Sequence, residues 1–134
     1  MSDQRVQPVE RWTDNPYAAD LGDMDVMRAL ADTPERLRSL ADRMTPEQFA
    51  RSYAPGKWTA AQLFVHLAQC EFAFGLRVRM ALTQEGYGVQ PFDQDAWLLR
   101  EAGTDGRVAF WGYYAMRHLN LQLFATLSPE ERRR

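Results

Sequence analysis

The chain has 134 residues, of which 46% are hydrophobic and 12% aromatic, and it carries a net charge of −2. That suits one domain with an ample core, and the weak negative charge gives no electrostatic case for nucleic acid or an anionic membrane as a partner. Cys70 is the single cysteine, which excludes an internal disulfide.

The start, Met1-Ser-Asp-Gln-Arg5, is polar and has no apolar signal core. No apolar run approaches the roughly 20 residues that span a bilayer, so a soluble cytoplasmic setting is the expectation. Residues 1–22, with Pro8, Pro16 and Gly22, read as an N-terminal arm pinned to the core by Trp12 and Tyr17; a helical domain follows over residues 23–134. Asp23 reads as the cap of a helix starting near Met24. Thr33-Pro34 reads as a fresh cap and first-turn proline, and Pro34 allows either one kinked helix or two pieces. Leu37, Leu40, Ala41 and Met44 continue at helical spacing.

Thr45-Pro-Glu-Gln48 has capping-box form and opens a short helix that ends before the turn Ala54-Pro-Gly56. Thr59-Ala-Ala-Gln62 repeats that form and opens a long helix to about Thr83. Leu63, Phe64, Leu67, Phe74, Val78 and Ala81 make its apolar stripe wide, as in the central member of a bundle. Asp93 caps a short helix to about Ala102. Gly103-Thr-Asp-Gly106 breaks it, and Arg107 to Leu127 form a third long helix striped by Tyr113, Met116, Leu119, Leu123 and Leu127. Ser128-Pro-Glu-Glu131 is one more helix-start signal just before Arg134. No strand rhythm appears, so the fold class is all-α.

His66 lies on an apolar helix face. In such a place a histidine is by default a core residue hydrogen-bonded to something. The ligand reading gains from Cys70 one turn on, because positions four apart share a helix face; Cys70 also reads as a small buried hydrophobe. Glu71 reads as a surface or interhelix pair. His118 reads as a boundary histidine, flanked by Arg117 and Asn120. Asp93 and Asp95 read as a cap and a helix-dipole partner; Trp58, Trp97 and Trp111 read as core. Two distant histidines and one cysteine do not make a closed zinc site.

Pro55-Gly-Lys-Trp-Thr59 followed by His66-Leu-Ala68, with Pro91-Phe-Asp-Gln-Asp-Ala-Trp97, resembles the DinB-like superfamily of bacterial four-helix bundles. The likeness runs from about Tyr17 to Arg134. It implies an up-down-down-up bundle with the last helix missing or truncated. It also implies a divalent metal, zinc or nickel, held by three histidines, and either a metal-dependent hydrolase or an S-transferase that uses a thiol cofactor such as bacillithiol or mycothiol. His66 matches the first metal ligand. The other two normally sit in the last helix, and this sequence has no counterpart for them, which leaves enzyme status open and implies weak or absent metal binding by the chain alone. An incomplete bundle leaves an apolar groove, which predicts a homodimer; the alternative function is a non-catalytic helical module that binds itself or a partner. The small-molecule substrate is not identified by any residue.

Overall fold

A computed structural model describes residues 16–134. Of the two residues expected against the core, Trp12 lies outside the described residues and Tyr17 is 72% exposed. The described residues form helices and no strand, with one isolated bridge pairing Ser52 and Thr59. The helices are α1 (Ala18–Leu21), α2 (Val26–Ala41), α3 (Pro46–Phe49), α4 (Ala60–Thr83), α5 (Gln94–Glu101) and α6 (Gly106–Ala125), followed by a 3-10 turn at Glu131–Arg133.

The cap of α2 is Asp25, not Asp23. Met24 N–H donates to the Leu21 carbonyl, so a preceding turn still holds Asp23, and Asp25 accepts from Arg28 N–H at 2.9 Å. Thr33-Pro34 starts no new helix, because α2 runs through it unbroken. Thr33 donates its hydroxyl back to the Ala29 carbonyl at 2.8 Å. Pro34 is fully buried, and the Leu30 carbonyl that its missing N–H leaves open accepts from Arg117 Nη1 at 3.0 Å.

Both capping boxes form. Thr45 with Gln48 opens α3 and Thr59 with Gln62 opens α4, each side chain bonding the other's backbone N–H. Ser128 and Glu131 make the same reciprocal pair ahead of the 3-10 turn. Helix α6 begins one residue earlier than the glycines suggest, capped by Asp105. Gly106 is there for closeness: a Cβ would meet Phe49 Cδ1 at 2.5 Å and Ala61 Cβ at 3.1 Å.

Helix α6 packs against both α2 and α4, with α5 and α3 laid on α4. The core is Ala41, Phe49, Phe64, Val65, Leu98, Ala109, Phe110 and Tyr113. Phe64 stacks edge-on to Phe110 with centroids 5.5 Å apart, and Phe49 sits 5.9 Å from Phe64. A groove separates α2 from α4. One end, about 450 Å³, is walled by Leu37, Leu40, Leu63 and Leu67; the other, about 590 Å³, lies between Leu30 and Val78 and is edged by Glu131 and Arg134.

Candidate metal centre

The box at Thr59 fixes the register of α4, and with it the direction of His66, whose imidazole lines the α2–α4 groove. Trp58, the residue before the cap, tilts over that ring with centroids 5.1 Å apart. Neither nitrogen has a strong hydrogen bond. Nε2 faces Cys70 Sγ at 3.5 Å, and Nδ1 is buried with no partner. Among the described residues His66 therefore has one polar partner, Cys70 at Nε2, and none at Nδ1. Cys70 is half-buried and faces the imidazole, not a purely apolar wall. Burial pushes its thiol above the usual range, with the Glu71 charge adding to the effect.

Glu71 is a buried interhelix partner and not a surface group. Its Oε1 accepts from Arg117 Nε at 2.7 Å and stands 2.6 Å from Arg117 Nη2, and its Oε2 accepts from Asn120 Nδ2 at 3.0 Å. Asn120 in turn accepts from Arg79 Nη1 at 2.9 Å and presses on α4 so closely that a Cβ at Gly75 would lie 2.6 Å from its Oδ1. Both oxygens of the Glu71 carboxylate thus accept hydrogen bonds from α6.

His118 is the expected boundary histidine, half-exposed between α6 and α2. Its Nε2 lies 3.2 Å from Glu35 Oε1, which also accepts from the Tyr114 hydroxyl at 2.5 Å. Those contacts, the Tyr114 bond first, hold the Glu35 carboxyl below its ordinary range. Asp93 caps α5 through the N–H groups of Asp95 and Ala96, and Asp95 sits in the first turn, so both are structural. Trp97 packs with Phe92 and Phe72. Trp111, expected in the core, is 47% exposed because α6 turns it outward past Phe110.

The structure therefore brings together His66, Cys70 and Trp58. Among the described residues, no group of three or more His, Cys, Asp or Glu gathers as a metal cluster. The sequence reading did not pick out Glu35, Tyr114 and Arg79. Their partners lie 41 to 83 residues away in the chain, and no local pattern signals such contacts.

The sequence model described as the DinB superfamily matches residues 29–134. The chain is 31% identical over 71 residues to the "putative metal-dependent hydrolase YfiT" of Bacillus subtilis, an alignment covering 53% of this chain and 40% of YfiT. It is 30% identical over 96 residues to a Bacillus licheniformis protein also named a putative metal-dependent hydrolase, covering 71% of this chain and 54% of that one. The solved structure of Bacillus subtilis YfiT, titled a probable metal-dependent hydrolase with an unusual four-helix bundle topology, superposes with a TM-score of 0.70 at 25% identity. That match covers 78% of this chain and 61% of YfiT. The chain thus spans about two fifths to just over half the length of these curated relatives.

Proposed function

Because the chain belongs to the DinB superfamily, we propose that it serves a divalent-metal-dependent hydrolase in which His66 is a metal ligand. The observation that carries this reading is the imidazole itself: half-buried in an apolar groove, with Nδ1 unpartnered and Nε2 facing only a thiol. An imidazole nitrogen without a protein partner is available to a metal ion.

Imidazole suits zinc and nickel alike, but among the described residues no group of three His, Cys, Asp or Glu forms around His66 to complete a site. A bound ion would supply Lewis-acid chemistry. Trp58 holds the plane of the His66 ring through their tilted contact. Leu37, Leu40, Leu63 and Leu67 wall that side of the groove. No described residue favours the thiol-transferase branch over hydrolysis.

The test is metal content per chain on size-resolved fractions, for the wild type and His66→Ala. Metal that co-elutes with the protein and is lost in the variant is expected. A wild type that stays metal-free after loading with zinc and with nickel would end the proposal.

A second reading is a self-associating helical module. Leu40, Leu63 and Phe74 are each close to half exposed, with Leu63 and Phe74 on one face of α4. Such a strip favours a homodimer. A dimer by light scattering that is unchanged in His66→Ala supports this reading, and a stable monomer that binds no apolar dye contradicts it.

A further inference from the structure

We propose that a second pocket, between α4, α5 and α6, binds a small organic ammonium with an aromatic or other apolar body. It shares no lining residue with the groove at His66, so it stands or falls apart from the metal reading.

The pocket has a volume of about 350 Å³, at the lower end of the roughly 300–1,000 Å³ of small-molecule sites. Phe72 on α4 and Trp97 on α5 line it, with ring centroids 6.4 Å apart and tilted by 57°. Gly112 on α6 keeps it open, because a Cβ there would meet nothing within 4 Å. These walls suit an apolar body of modest size.

Gln69, Glu101 and Thr104 decide which molecule the walls take. Gln69 is only 5% exposed, and its Nε2 donates to Glu101 Oε2 at 2.5 Å. A carboxylate can only accept, so this bond turns the amide nitrogen toward Glu101 and leaves Oε1 as the other end. Gln69 Oε1 is buried and has no partner among the described residues. An N–H brought into the pocket would satisfy it. Glu101 is exposed, and among the described residues its second carboxylate oxygen has neither a hydrogen bond nor an ion pair. The Thr104 hydroxyl can accept as well.

The lining therefore offers acceptors and one negative charge, and it holds no Lys, Arg or His. An anion would be repelled by Glu101. A neutral hydrocarbon would leave both oxygens unpaired. An ammonium brings several N–H donors and the matching charge, and a charge-assisted bond to a carboxylate is the stronger kind. The aromatic walls add to the preference, since ring faces attract cations.

The experiment is a titration of the full nitrogen-15-labelled chain near neutral pH, followed by proton–nitrogen NMR. The probes are 2-phenylethylammonium, its neutral analogue 2-phenylethanol and the anion 3-phenylpropionate. The ammonium is expected to shift the Trp97 indole N–H and the Gln69 side-chain amide saturably, with a Kd of about 1 mM for so small a ligand. The alcohol and the anion are expected to bind at least about tenfold more weakly. Glu101→Gln keeps an acceptor for Gln69 and removes only the charge, and it should weaken ammonium binding by about tenfold or more. Gly112→Leu should fill the pocket and abolish the shifts, and leucine is the better helix former, so the fold is retained. No saturation by about 10 mM, shifts confined to the α2–α4 groove, or shifts that persist in Gly112→Leu would overturn the site. Equal binding of the alcohol or the anion would overturn the choice of an ammonium. That comparison of probes uses the wild type alone, so it holds even if a variant folds poorly.

Discussion

Arg117 on α6 completes the hydrogen bonding of α2. Its Nη1 donates at 3.0 Å to the Leu30 carbonyl, the oxygen left open by Pro34 four residues on, while its Nε donates at 2.7 Å to Glu71 on α4. One guanidinium therefore joins the three long helices. The pair is nearly dry, with the Arg117 and Glu71 side chains 13% and 8% exposed.

Arg117→Met should cost about 3–5 kcal/mol in urea unfolding, since it strands the Glu71 charge in the interior. Adding Glu71→Gln to that variant should recover much of the loss, because glutamine can still bond Asn120 without a charge to solvate. A double variant as unstable as the single one would refute the buried-charge account.

Two glycines in α6 should respond in opposite directions to alanine. At Gly106 the new methyl would collide with the Phe49 ring, which is fixed in the core; a loss of about 1–3 kcal/mol is expected. At Gly112 nothing lies within 4 Å of the added Cβ, so alanine should stabilise the helix by about 0.5–1 kcal/mol. Thermal melts of both variants check the pair, and equal signs would contradict it.

His66→Leu should leave the metal-free protein as stable as the wild type or more so, by up to about 1–2 kcal/mol, measured in chelator. It removes a buried nitrogen that has no partner and places hydrocarbon in an apolar groove. A loss of about 2 kcal/mol or more would mean that the imidazole has a structural bond after all.

The Glu35 carboxyl is held below its ordinary range, first by the Tyr114 hydroxyl and then by His118 and Arg38. A depressed carboxylate contributes stability above its unfolded-state pKa and loses that contribution as pH falls through its folded-state value. Tyr114→Phe should therefore move the Glu35 titration upward in side-chain carbon NMR and make the acid limb of the stability profile shallower. An unmoved Glu35 would show that the Tyr114 bond does not form in solution.

What the sequence made legible was chemistry confined to a few residues. The caps at Thr45, Thr59, Asp93 and Ser128 each need only a side chain and a backbone N–H two or three positions on, and all four form. The pairing of His66 with Cys70 is local in the same sense. The passage of α2 through Pro34 was not legible, because the donor that makes it tolerable arrives from 87 residues away. Asp23 and Asp25 are chemically alike; only a turn closed at Leu21 decides between them. Trp111 and Leu119 carry a core pattern yet stay substantially exposed, since α6 has no neighbouring helix over that part of its surface.

The groove between α2 and α4 has a consequence for how the molecule opens. With α6 as its main neighbour, α2 can lift away by parting one interface and releasing the Arg117 bond, whereas displacing α6 separates α2 from α4 altogether. Backbone amides should exchange with solvent in that order, α2 first and α4 with α6 last. The least protected segment is then the wall facing His66, so the same local unfolding that exposes α2 also sets how often the imidazole is within reach of a molecule in solution.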